Sequence, residues 1–277
     1  MRELQKIEEY ELKYLVQIQQ IINKKLEFIL KCFSSRFDTY EYWAPLMEAE
    51  KKRLTDLGTG AERVFDHVIV SCKWKEWYPV PIPFGSNLFF ETSDVFVNID
   101  IKTAYADNPR DFRGRVEVGE AQTSYPMKKK YGSLEEFQPK LRPFYKINGK
   151  LKYCLTYIIQ VVHAKPEDIV EQELDPNPIL INVISIPNGL LYKIYGEYIV
   201  KEPKSYHIKE SKRLRPANFR YYYCREPRFK LLTVECSYRI RIFFNQKYKN
   251  KSYRNVLLTP ENMTQIKTLP KHIITFF

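Results

Sequence analysis

The spacing of apolar residues changes period along this chain, and that change limits the folds open to it. From residue 3 to about 33, Leu12, Leu15, Val16, Ile18, Ile21, Ile22, Leu26, Ile29 and Leu30 recur at the spacing of one helix face. A second helix is predicted over about 39–57, ended by Gly58-Thr59-Gly60, and residues 61–67 read as a short helix leading into a strand at Val68-Ile69-Val70. After an aromatic, proline-rich loop over 74–83, the apolar residues follow strand spacing instead. Strands are predicted over 88–91, 95–102, 114–122, 151–162, 179–186 and 233–242. Ser133-Leu134-Glu135-Glu136 has the chemistry of a capping box and predicts a helix start. Pro187-Asn188-Gly189 predicts a hairpin turn ahead of 190–198. The simplest organisation is one compact α/β unit, with a helical N-terminal layer over 1–57 and a core over 58–277.

The 277 residues are enough to bury a sizeable core. Lys and Arg total 45 against 33 Asp and Glu, a net charge of +12, which favours a polyanionic partner through counterion release. Five cysteines, odd in number and scattered with no C-x-x-C pair, argue against a disulfide framework and a zinc site, and point to a reducing compartment. The charged opening MRELQKIEEYELKYL is not that of a signal peptide, and no apolar run reaches the ~18–20 residues of a membrane span, so a cytoplasmic protein without membrane contact is expected. His67, His163, His207 and His272 show no metal-ligand spacing, and neither a Walker loop nor a G-x-S-x-G elbow is present.

Chemistry concentrates in residues 93–103, Ser-Asp-Val-Phe-Val-Asn-Ile-Asp-Ile-Lys-Thr. In a strand, Val95, Val97, Ile99 and Ile101 share one face, able to pack on a helix, while Asp94, Phe96, Asn98, Asp100 and Lys102 share the other. Asp100 and Lys102 then stand roughly 6–7 Å apart along the strand. A carboxylate can hold Mg²⁺, which polarises a phosphoryl oxygen and acidifies water, and a neighbouring ammonium can orient that water and offset developing charge. The pair therefore suits phosphodiester hydrolysis.

Asp100-Ile101-Lys102, closing an apolar strand, resembles the (D/E)-x-K half of the PD-(D/E)-x-K nuclease signature. The wider string, from Phe89-Phe90-Glu91 through Ile99-Asp100-Ile101-Lys102-Thr103 to Gln122-Thr123-Ser124-Tyr125, is similar to type II restriction endonucleases over about residues 60–130. The resemblance implies a mixed β-sheet restriction-endonuclease-like core flanked by helices. It also implies Mg²⁺, a homodimer cutting double-stranded DNA at a short palindrome, and 5′-phosphate ends. Asp94 is the nominal match to the family's first acid, but it follows Ser where Pro is usual and lies six positions before Asp100, about 20 Å on a straight strand. A turn centred near Ser93-Asp94 would instead set Asn87 opposite Asp100 and leave Glu91 near the turn, so Asn87 and Glu91 are alternates. By resemblance Glu62 is a candidate for the metal's water shell, and Gln122 lies close to the site; Glu120 forms a carboxylate-x-amide pair with Gln122.

Three basic stretches are candidate DNA contacts: Lys128, Lys129 and Lys130; Arg213 and Arg215; and Arg220, Tyr222, Arg225 and Arg228. Arg239 and Arg241 share one face of the last predicted strand, with Ile240 and Ile242 on the opposite, core face. A restriction enzyme would have a DNA methyltransferase gene as its neighbour. The competing readings are a structure-selective or repair nuclease on the same core, and a non-catalytic nucleic-acid-binding protein.

Overall fold

The computed structural model describes residues 2–49, 56–72, 76–81, 86–106, 115–124, 129–131, 135–137, 139–163, 178–201, 219–222, 239–248 and 274–277. The chain opens with helix α1 (Arg2–Ala49) and helix α2 (Asp56–Ser71). Strands β1 (Tyr78–Pro79), β2 (Leu88–Glu91), β3 (Val95–Tyr105) and β4 (Arg115–Val118) follow. Next come the short pair β5 (Lys129–Tyr131) and β6 (Glu135–Phe137), then β7 (Phe144–Ile147), β8 (Lys150–His163) and β9 (Leu180–Ile186). Helix α3 (Tyr192–Ile199), β10 (Val200–Lys201), β11 (Phe219–Tyr222), β12 (Ile240–Phe244) and β13 (Ile274–Phe276) complete the described elements.

The main sheet runs β1-β2-β3-β8-β9-β12-β13, with β7 paired to the start of β8. Its central pair, β3 and β8, is parallel and in register from Val95↔Tyr153 to Tyr105↔His163, and β8 and β9 are antiparallel. A parallel pair needs a crossover rather than a hairpin, and residues between β3 and β8 supply it, carrying β4 to a separate sheet with β10 and β11. The sheet is mixed, as expected from the sequence.

Helix α1 covers the face of the sheet that carries Val97, Ile99, Leu155, Ile159 and Val183. Its buried side chains Ile7, Tyr14, Leu15, Ile18, Ile21, Ile22 and Ile29 form one cluster with those strand residues. Each fully buried Leu, Ile or Val contributes about 1.5–3 kcal/mol of transfer free energy. Polar groups tie the same seam: Tyr157 Oη donates to Glu11 O at 2.9 Å, and Arg241 Nε donates to Gln19 Oε1 at 2.9 Å. α1 also buries two carboxylates, Glu8 and Glu11, against Arg239, which precedes β12. Arg239 Nη2 lies 3.2 Å from Glu8 Oε1, and its Nη1 lies 2.6 Å from Glu11 Oε2. Tyr195 of α3 donates to Glu8 and accepts from Arg239 Nη2 at 3.2 Å. Burial pushes the Glu11 carboxyl up to about 7, although Arg239 and the Asn188 N–H pull against that shift.

Several expectations are corrected. α1 continues to Ala49 without a break near residue 39, and Gly58-Thr59-Gly60 lie in the first two turns of α2 rather than ending a helix. Val68-Ile69-Val70 are helical, because Ala61, Phe65, Val68 and Ile69 form a buried stripe at helical spacing that outweighs β-branched preference. Glu135 and Glu136 sit in β6, whose backbone pairs with β5 instead of starting a helix. Asn188 does not form a hairpin turn: its side chain accepts from Leu190 N and caps a 3-10 turn, Gly189–Leu191, that leads into α3. Gly189 is required there, since a Cβ would stand 2.4 Å from Thr123 O. Arg239 and Arg241 are buried under α1. Both faces of β12 are therefore interior, and residues 233–237 lie outside the described residues.

Candidate active site

β2 and β3 form an antiparallel hairpin whose register runs from Glu91↔Phe96 to Leu88↔Ile99. Extending it by one residue sets Asn87 opposite Asp100. Asn87 Oδ1 accepts from Ile101 N at 2.7 Å, which fixes its carbonyl at the edge of the Asp100–Lys102 step. Lys102 Nζ lies 2.8 Å from Asp100 Oδ2. The Asp100 side chain is only 6% exposed and that of Lys102 36%, so the carboxylate sits behind and the ammonium faces outward. Burial raises the Asp100 carboxyl above its ordinary value, while the Lys102 charge, its hydrogen bond and the Ile101 N–H restrain that rise.

The loop after β4 closes over the same face of β3. Asn98 Nδ2 donates to Ala121 O at 2.9 Å, and Thr123 Oγ1 meets Thr156 Oγ1 at 3.2 Å. Gln122 is fully buried, and its Oε1 accepts from Ser124 N at 2.6 Å and Ser124 Oγ at 2.5 Å. Asn98 Oδ1 and Gln122 Nε2 are buried without a hydrogen-bond partner among the described residues. Polar residues continue sideways across the sheet. Gln160 of β8 is in register with Lys102, Asn182 of β9 with Gln160, and Asn182 Nδ2 donates to Gln160 Oε1 at 3.1 Å. Sequence reasoning passed over Thr156, Gln160 and Asn182; the available signal was a polar residue interrupting a strand whose every neighbour is apolar.

The predicted site residues do not all converge. Asp94 is at the β2–β3 turn, held by Lys13 and Tyr14 of α1, with Tyr14 Oη donating to it at 3.3 Å. Lys13 holds its carboxyl below the ordinary value, and six strand residues, about 20 Å, separate it from Asp100. Glu91 pairs with Lys152 Nζ at 2.6 Å, opposite Phe96 and about 13 Å along the hairpin from Asp100. The hairpin does not bring either acid beside Asp100. Glu62 is half-buried on α2, the helix that packs beside β3, and no side chain among the described residues pairs with it. Glu120 is held by Lys140 at 2.5 Å. Lys129 and Lys130 lie on β5, and Arg220 and Tyr222 on β11 beside the buried Tyr221. Lys128, Arg213, Arg215, Arg225 and Arg228 fall outside the described residues.

Among the described residues no three His, Cys, Asp or Glu side chains converge on one point. One buried carboxylate with the Asn87 carbonyl across the hairpin from it fits a hard cation such as Mg²⁺, which keeps several waters and uses one or two carboxylates with substrate phosphates. It does not fit a thiolate or imidazole metal.

A family model described as type II restriction enzyme MwoI, N-terminal domain, matches residues 3–168, which is 166 of the 277 residues. The chain belongs to this restriction enzyme family. It is a type II restriction endonuclease, a sequence-specific DNA endonuclease, and the family is one of divalent-metal-dependent enzymes. The match takes in α1 through β8, and with them the whole Asp100–Lys102 hairpin. Two solved restriction endonucleases share the fold. BglI, bound to its DNA recognition sequence, superposes with a TM-score of 0.62 at 14% identity, covering 87% of this chain and 91% of that one. Tetrameric SfiI, bound to cognate DNA, gives 0.52 at 12% identity, covering 87% and 85%. No curated protein matches the chain. No helix among the described residues is long and apolar enough to cross a membrane.

Proposed function

We propose that Asp100 and Lys102 are the hydrolytic pair of this restriction enzyme, working with Mg²⁺ on each strand of a DNA duplex. The observation that carries the reading is the contact of the Lys102 ammonium with a buried carboxylate whose neutralising partner it is. Asp100 would hold the ion, with Asn87 Oδ1, across the hairpin from it, as a further oxygen in place of a second acid. When bound, Mg²⁺ polarises the phosphoryl oxygen and acidifies the attacking water.

The chain's own residues do the rest. Burial makes an unbalanced charge on Asp100 costly, so the carboxylate recruits a cation, and Lys102 supplies it until the ion and phosphate arrive. Lys102, the more exposed of the two, then donates to the attacking water and to the phosphate as its charge builds. Water forms the new P–O bond, the P–O3′ bond breaks, and the products carry 5′-phosphate and 3′-hydroxyl ends. Gln122 is a positioning residue through Ser124, and Glu62 is a candidate for the water shell. A homodimer places two such sites on opposite strands, in the cytoplasm of a cell whose neighbouring methyltransferase gene protects the same sequence.

The test is cleavage of phage DNA with Mg²⁺ followed by sequencing of the ends. Lys102→Ala and Asp100→Asn are expected to lower the rate by about 10²–10³-fold or more while duplex binding in Ca²⁺ persists. Wild-type cleavage by Asp100→Asn would remove the pair from the mechanism.

A further inference from the structure

Beyond the hydrolytic pair, the face of the sheet that carries Asp100 leads to a basic ribbon at its far end. β7 and the start of β8 form a hairpin with Ile147↔Lys150 and Tyr145↔Lys152 in register. Its turn is Asn148-Gly149, with φ of 49° and 77°, a tight pair that fixes the tip. The base is locked on the site face by three contacts. Tyr145 stands edge-on to Phe96 with ring centroids 5.5 Å apart, Lys152 Nζ lies 5.2 Å over the Phe96 ring, and Lys152 pairs with Glu91. By strand alternation Lys150, Ile147 and Lys152 project on the same side as Phe96, Asn98, Asp100 and Lys102.

Lys150 of this ribbon and Arg142 just before β7 lack a carboxylate partner among the described residues, as does Lys146, which strand alternation puts on the opposite face. Lys150 and Arg142 are exposed; Lys152 and Lys140, by contrast, each have a carboxylate. Ile147 is 41% exposed beside them. Asp100 is in register with Ile158, eight residues from Lys150, which makes about 26 Å along the strand. That is the length of roughly seven to eight base steps at 3.4 Å each.

We propose that the β7–β8 ribbon is a DNA-contacting arm, in which Lys150 and Arg142 neutralise backbone phosphates several base pairs from the scissile one. The proposal rests on Asp100 marking the cut, and its charge and shape suit a duplex: a two-stranded ribbon fits the major groove, and its free cations match the phosphate rail.

The test is fluorescence anisotropy of duplex binding in Ca²⁺ across a salt series, with Lys150→Ala, Arg142→Ala, the double variant and Lys150→Arg. Each alanine variant is expected to flatten the slope of log K against log salt by about 0.9, the double variant by twice that, and Lys150→Arg to restore it. Lys24→Ala, an exposed cation on α1 across the sheet, serves as the control for net charge. An unchanged slope for Lys150→Ala, or an equal change for Lys24→Ala, overturns the proposal. So does a shift in oligomeric state with the slope intact, which would make the ribbon a contact between copies of the chain. Failure of the Asp100 assignment shows separately, as cleavage by Asp100→Asn, which this binding assay does not read.

Discussion

Glu11→Gln should make the fold more stable above neutral pH than below it, relative to wild type. Glu11 is wholly buried between α1 and the sheet, and burial raises its carboxyl from 4.5 to about 7 despite the Arg239 guanidinium 2.6 Å away. A carboxyl raised on folding contributes its stability fully below 4.5, and that contribution is lost as pH rises through about 7. With the carboxyl raised from 4.5 to about 7, at about 1.4 kcal/mol for each tenfold change in proton affinity, the ionised Glu11 costs on the order of 3 kcal/mol at pH 8. Glutamine keeps an oxygen for the Asn188 N–H, which now donates to Glu11 at 2.7 Å, but never ionises. Removing the pairing with Arg239 adds an offset to the variant at every pH, so only the change with pH is diagnostic. Urea unfolding of both proteins at pH 4, 6 and 8 measures it. The variant should gain on the order of 3 kcal/mol relative to wild type between pH 4 and 8. A stability difference that stays constant over that range would refute the claim that burial, rather than Arg239, governs Glu11.

Asp100→Asn should raise the thermal midpoint more at pH 8 than at pH 4, because burial raises this carboxyl too, and the stability it contributes is lost as pH rises; differential scanning fluorimetry at both values reads the sign. Asp94→Asn breaks a partly exposed ion pair with Lys13, so chemical denaturation should register about 1 kcal/mol or less, and single-turnover cleavage should stay at the wild-type rate. Gly189→Ala places a methyl against Thr123 O and should cost about 1–3 kcal/mol while slowing cleavage, since Thr123 adjoins Gln122; a variant as stable and as active as wild type would show that this close approach is easily relieved.

How much of this was legible in the sequence depended on range. The β2–β3 hairpin was partly readable: alternation over residues 95–102 fixes the faces, while a turn near Ser93-Asp94 was only one of two registers the sequence allowed, and it is the one that sets Asn87 opposite Asp100. Asp94 misled because motif spacing carries no distance: its neighbour Thr92 accepts from Val95 N at 3.0 Å and turns the chain, leaving Asp94 to α1. Val68-Ile69-Val70 misled because a β-branched run resembles a strand until a buried helical stripe is supplied by packing. The balance of Glu8 and Glu11 with Arg239 was illegible. On a helix wheel both glutamates look solvated, and nothing local tells that a cation 228 positions after Glu11 comes to meet them.

That long-range triad has a consequence for synthesis of the chain. Helix α1 leaves the ribosome first, carrying two acids on the side it must hide, and the arginine that balances them is translated only at residue 239. Until then, closing the sheet under α1 means holding both carboxyls protonated or burying them without their cation. Closure of the α1 seam is therefore expected to become most favourable only once residue 239 has been made, late in synthesis.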